Sequence, residues 1–154
     1  MAGKIDARLA ELGIDLPNAS APAANYVPFT RDGNILYVSG QVPTGPDGLL
    51  KGKLGDDYSL DQGAAAARLC GLHLLAQVKR ACDGDLDRLD QVLKLTGFVN
   101  STLEFGDQPK VINGCSDLMV EVLGDAGRHA RSAVSAASLP FGVPVEIEGI
   151  FRLK

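Results

Sequence analysis

Residues 59–82, SLDQGAAAARLCGLHLLAQVKRAC, leave the chain the fewest choices. Ser59-Leu60-Asp61-Gln62 has the form of a capping box, in which a Ser hydroxyl and a Gln three residues on satisfy each other's free N–H groups. Behind it, Leu60, Ala64, Ala67, Gly71, Leu74, Val78 and Ala81 recur at alternating spacings of four and three, which predicts one helix running to about residue 82. The small residues in mid-stripe let that helix lie close on a sheet. Leu69, Leu72 and Leu75 sit round the side, so a second packing neighbour is expected.

The rest of the chain supplies the sheet. YVPFTR and ILYVSGQVP flank Asp32-Gly33, a hairpin signal. A glycine-rich connection follows to residue 57. QVLKLTGFVNS (91–101) predicts a strand with Leu93, Leu95 and Val99 on one face and Lys94, Thr96 and Asn100 on the other, Phe98 among them. Asp107-Gln108-Pro109 opens a second helix with the stripe Val111, Cys115, Leu118 and Val122, stopped at Gly124. Two further strands are expected at about 131–138 and 143–153, around Leu139-Pro140-Phe141-Gly142. A short amphipathic helix at 4–12, with Ile5, Leu9 and Leu12 on its stripe and Gly13 as its stop, and a Pro/Ala/Asn loop to about residue 25 precede the hairpin. The resulting order, ββ(β)αβαββ, is an α+β layer arrangement with two helices on one face of a sheet.

At 154 residues the chain fits one domain. No apolar run approaches the ~18–20 residues of a membrane helix, and the charged N-terminus does not read as a signal peptide. Cys70, Cys82 and Cys115 are odd in number and widely spaced, which fits reduced thiols in a cytoplasmic protein. A net charge of −4 with 15 scattered Lys and Arg makes nucleic acid a poor partner. His73 and His129 are too few for a histidine-rich metal site, and neither has ligand spacing. No GxGxxG, P-loop or GxSxG is present.

What remains is a set of charges in apolar runs. In the last strand Val145, Ile147 and Phe151 alternate with Glu146, Glu148 and Arg152, so one face carries both carboxylates. Arg131 heads the preceding strand with Ala133 and Ser135 on its side. One reading is an exposed sheet face with surface ion pairs, each contributing roughly 0–1 kcal/mol. The other is a small-anion site, in which a guanidinium grips a carboxylate through two parallel hydrogen bonds and a glutamate orients water. His129, two residues before Arg131, reads as a proton carrier or as a solvated turn histidine, the pattern favouring the turn. Ser39 has no base near it in sequence, so no Ser-His-Asp triad is assembled.

ILYVSGQVP (35–43), LTGFVNS (95–101), VINGCSDLMVEV (111–122) and above all ARSAVSAASLPFGVPVEIEGI (130–150) resemble the reactive intermediate deaminase, or YjgF-like, family. The likeness spans residues 25–154 and leaves 1–24 as an N-terminal extension. It implies a chorismate-mutase-like single domain with a mixed sheet, assembled as a homotrimer with pockets between subunits. It implies hydrolysis of enamines or imines such as 2-aminoacrylate to a 2-oxo acid and ammonia, with no metal and no organic cofactor. By motif, Arg131 matches the arginine that binds the substrate carboxylate and Glu146 the glutamate beside the attacking water. Gly40 matches a backbone donor, and Tyr26 and Asn113 match pocket positions. Glu148 has no matching role, and a surface ion pair is its expected use.

Two departures stand out. Ala133 replaces a cysteine common in the family, and Ala24-Asn25-Tyr26-Val27 replaces Gly-Pro-Tyr-Ser. With the extension, these resemble a longer subgroup that carries an endoribonuclease label. Three functions are therefore in play: an imine or enamine deaminase, a non-catalytic binder of a small carboxylate metabolite, and an RNA-cleaving protein. The acidic balance and the lack of paired catalytic histidines weigh against the third.

Overall fold

A computed structural model describes residues 3–22 and 24–154. Met1 and Ala2, in the expected extension, and Ala23, in the expected loop, lie outside them. Helix α1 (Lys4–Glu11) is followed by the hairpin β1 (Phe29–Asp32) and β2 (Ile35–Gln41), and by a small hairpin, β3 (Thr44–Gly45) and β4 (Gly48–Leu49). Helix α2 (Leu60–Ala81), β5 (Leu89–Asn100), α3 (Gln108–Leu123), β6 (Ala130–Ala136) and β7 (Val145–Leu153) complete the chain. The main sheet has the order β1-β2-β7-β5-β6. Among the described strands of this sheet only β5 and β6 run parallel, and α3 makes the crossover between them. The sheet is mixed, as expected.

Helices α2 and α3 cover one face. The capping box forms as its residues require: Ser59 Oγ accepts from the N–H of Gln62, and Gln62 Oε1 from the N–H of Ser59. Beneath the helices lie Leu36, Val38, Leu95, Val99, Val145, Ile147 and Phe151, all buried. From α3, Val111, Cys115, Leu118 and Val122 point into the same core. All three cysteines are free and buried. The second neighbour of α2 is segment 15–17 with the β3–β4 hairpin, which meets Leu69 and Leu72 across a small apolar cleft, while Leu75 is buried outright. No helix among the described residues is long and apolar enough to cross a membrane.

Three local details differ from the sequence expectation. Asp32 pairs with Ile35, so the hairpin turn is Gly33-Asn34, with the positive φ on Gly33. In β5, Val92 pairs with Phe151 and Lys94 with Ile150, which leaves Leu93 as an extra, half-buried residue instead of a core position. Asn100, expected on the open face, is buried at the strand end. Its amide donates to the carbonyls of Gly52 and Val143, and its Oδ1 accepts from Lys53 Nζ at 2.6 Å. A buried amide needs such partners, and no local pattern announces a partner 47 residues away.

Candidate functional site

The face of the sheet turned away from the helices carries Glu146 and Glu148 on β7, as the alternation predicts. Arg131 does not share it. Arg131 pairs with Leu95, a core residue, so its side chain is on the helix side of edge strand β6. Arg131 and Glu146 therefore stand on opposite faces of one sheet. The surface-pair reading of Arg131 with the two glutamates fails on this geometry.

Arg131 is held by α3. Its Nη1 donates to Asn113 Oδ1 at 2.8 Å and to Ser116 Oγ at 3.1 Å, and its Nη2 to the carbonyl of Pro109 at 3.2 Å. All three acceptors are neutral. No carboxylate among the described residues forms an ion pair with this half-buried guanidinium. Asn113, Ser116, Asp117, Arg128 and His129 complete an open cleft of about 300 Å³ around it. His129, expected as a solvated turn residue, is instead half-buried in this wall, with Nε2 at 2.9 Å from Ser116 Oγ and Nδ1 at 2.6 Å from the carbonyl of Gly127. Burial, together with the Arg131 charge, pulls its pKa below the usual histidine value, outweighing the Gly127 carbonyl.

Glu146 lines a separate cleft of about 420 Å³ with Tyr26, Ser39, Gly40, His73 and Phe141. Here a β-bulge does the positioning. Val38 pairs with Gly149 and Gln41 with Ile147, so Ser39 and Gly40 together face one residue of β7. Glu146 then lies against Gly40 so closely that a Cβ there would be 2.9 Å from its carboxyl carbon. Glycine is the residue that leaves this space. Tyr26 and Phe141 stand largely exposed at the rim. Segment 20–21 forms another wall, tied down where Gln77 Nε2 and Arg80 Nη1 donate to the carbonyl of Ser20.

The predicted residues thus fall into two groups, Arg131 with Asn113 and Glu146 with Gly40 and Tyr26. Ser116, His73 and Phe141 were not singled out for a site. Ser116 had a faint signal, being three residues from Asn113 and on the same helix flank. His73 had none, because the β3–β4 hairpin brings the Thr44 carbonyl to it, at 3.2 Å.

Burial pushes the Glu146 carboxyl above the usual carboxylate range, and the charge of Glu148 adds to this. Glu148 itself makes no ion pair among the described residues, contrary to the expectation for it. A carboxyl with a raised folded-state pKa binds its proton more tightly folded than unfolded. Stability therefore falls as pH rises from the ordinary carboxyl pKa through the raised one. Glu146→Gln removes that loss. Its thermal midpoint should exceed wild type at about pH 7 and converge on it near pH 4. Equal differences at both pH values would show that the carboxyl is not desolvated.

A mixed five-stranded sheet with two helices on one face is the architecture of a chorismate-mutase-like α+β protein. The profile of the family described as "YjgF/chorismate mutase-like, putative endoribonuclease" matches residues 6–145, and the chain belongs to this family. Protein TCP17 of Trypanosoma cruzi is 47% identical over 153 residues, spanning 98% of this chain and 95% of that protein. The crystal structure of Atu1372 from Agrobacterium tumefaciens matches with a TM-score of 0.91 at 50% identity, over 97% of this chain and 92% of that one. A crystal structure of E. coli TdcF with bound serine matches with a TM-score of 0.63 at 26% identity, over 89% of this chain and 94% of that one.

Proposed function

We propose that the protein hydrolyses small enamines and imines of the 2-aminoacrylate type to 2-oxo acids and ammonia, in pockets shared between subunits of a homotrimer. The observation that carries this reading is Arg131, a half-buried guanidinium fixed by three neutral acceptors and without a carboxylate partner among the described residues. Such a group is stabilised by an anion, and a planar carboxylate fits its fork. An imine carbon is already electrophilic, so the remaining task is to deliver one water in the right place. Glu146, whose raised pKa brings it nearer neutrality than an ordinary carboxylate, suits water handling.

The opposite placement of Arg131 and Glu146 supports the shared pocket, because one chain cannot bring them to one substrate. The open sheet face supports assembly. Tyr37 and Val134 are 46% and 45% exposed there, beside half-buried Ile35, Phe98 and Ile150, an apolar surface suited to a second copy. The bound serine of TdcF favours a small amino-acid-like carboxylate as ligand, and binding without turnover is the second reading. RNA cleavage is disfavoured by the net charge of −4.

The test supplies 2-aminoacrylate generated in situ and follows ammonia release above the spontaneous rate, with light scattering for the assembly. Release at the spontaneous rate, by protein of trimer mass, would leave only the binding reading. Glu146→Gln should lower turnover more than affinity, since its partner is water.

A further inference from the structure

The hydrogen bonds around Arg131 have a direction. The carbonyl of Gly127 only accepts, so the proton of His129 sits on Nδ1, 2.6 Å away. In the neutral ring Nε2 is then an acceptor, and Ser116 Oγ–H donates to it at 2.9 Å. Ser116 Oγ in turn accepts from Arg131 Nη1 at 3.1 Å. The chain runs Arg131, Ser116, His129, Gly127, and it lines the cleft in which the substrate carboxylate is expected.

We propose that Ser116 is a further catalytic residue, giving the enamine a proton that His129 takes up when the substrate carboxylate binds Arg131. This rests on the deaminase reading above. Burial disfavours imidazolium most here, and the Arg131 charge adds to it; a carboxylate on the guanidinium cancels that added charge. The other charged groups about His129 are Arg128 and Asp117 in the cleft and Asp125 on the preceding turn, with Lys94 opposite Ala130 on β5. Once His129 is protonated, Nε2–H donates to Ser116 Oγ. The serine hydrogen is then free to turn into the cleft.

The step balances. Ser116 Oγ–H passes its proton to the methylene carbon of the enamine, forming a C–H bond, while the nitrogen lone pair makes C=N. His129 Nε2–H restores the serine proton. Water adds to the iminium carbon and leaves one proton on Glu146, which returns it to the nitrogen as the C–N bond breaks. The carbinolamine hydroxyl releases the last proton to solvent as the carbonyl forms, replacing the proton that His129 took up. Enamine and water become 2-oxo acid and ammonia.

The experiment has two arms. Calorimetric titration with pyruvate, in buffers of different ionisation enthalpy, counts protons taken up on binding. The Glu146→Gln background is used so that this carboxyl does not contribute. Uptake is expected there, with affinity rising as pH falls between about 8 and 5, and both should vanish when His129→Gln is added. In the kinetic arm, on the otherwise native protein, Ser116→Ala should lower kcat roughly a hundredfold, the lower end of what a positioned acid contributes. Ser116→Thr, which keeps the hydroxyl, should retain most of the rate, and His129→Gln should flatten the pH profile. If Ser116 and His129 merely tie β6 to α3, trimer mass and stability change but proton uptake and pH profile do not, and the proposal falls. A wild-type protein that releases no extra ammonia sinks the deaminase reading and this role together. Turnover with pyruvate binding but no proton uptake sinks this role alone.

Discussion

Gly114→Ala should force α2 and α3 apart and remove a large share of the stability of the fold. A Cβ at Gly114 would stand 1.9 Å from the carbonyl oxygen of Ala64, 2.8 Å from its carbonyl carbon and 3.1 Å from its Cα. Every one of these atoms is backbone, so no side chain can swing aside. The helices must part instead, and each of them seals the core with residues such as Leu74 and Leu118. Intrinsic propensity argues the other way, because Ala in a helix interior is favoured over Gly by about 0.8–1.0 kcal/mol. Overpacking a well-filled contact costs about 1–3 kcal/mol, and a backbone overlap this deep belongs at or beyond the upper end. Packing wins by about 2 kcal/mol or more, a large share of the about 5–15 kcal/mol that holds a typical domain. Urea denaturation should show the midpoint falling sharply. Gly106→Ala is the control, since nothing lies within 4 Å of a Cβ there, and its effect should stay within about 1 kcal/mol. A wild-type midpoint in Gly114→Ala would mean that the two helices do not cross at this point.

Gly114 also shows what sequence patterns carry. The stripe on α2 announced a close approach through its small residues, but onto a sheet, whereas Ala64 and Gly71 meet Gly114, Cys115 and Leu118 of α3; the capping box marked where the helix begins. β7 was legible because large apolar and charged residues alternate, so its two faces cannot be confused. β6 was not. Arg131, Ala133 and Ser135 face one way and Ser132, Val134 and Ala136 the other, and neither set is clearly the core set. Its facing is decided by parallel pairing to β5 and by the seat that Asn113 and Ser116 provide on α3, neither of which has a local signature. The Ser116–His129 contact was hidden for the same reason, since a helix side chain and a turn 13 residues later meet only once the crossover is built. The residue types of the candidate site were thus readable from motif resemblance. Their distribution over two faces followed only from topology, and that distribution turns a list of polar residues into an argument for a pocket between subunits.

Arg131→Ala should remove most small-carboxylate affinity while leaving the subunit folded. Its three hydrogen bonds end on Asn113, Ser116 and the Pro109 carbonyl at the rim of an open cleft, where water can replace the guanidinium. The stability change should stay within about 1 kcal/mol. Binding is a different matter, because a hydrogen bond to a charged group contributes about 1.5–3 kcal/mol, a factor of roughly ten to a hundred and fifty in affinity. Arg131→Lys separates charge from shape. The ammonium keeps the positive charge but presents a point instead of a fork, so the two parallel bonds to a carboxylate are lost. It should therefore bind pyruvate at least about tenfold more weakly than wild type, with Arg131→Ala weaker still. Asn113→Ala leaves the charge and the fork and loosens only one anchor of Nη1, so its effect should be the smallest of the three. Affinity by calorimetry, with the assembly mass of each variant checked against wild type, should give the order wild type, Asn113→Ala, Arg131→Lys, Arg131→Ala. Lysine binding as tightly as arginine would reduce the site to general electrostatic attraction, and undiminished binding in Arg131→Ala would place the carboxylate elsewhere.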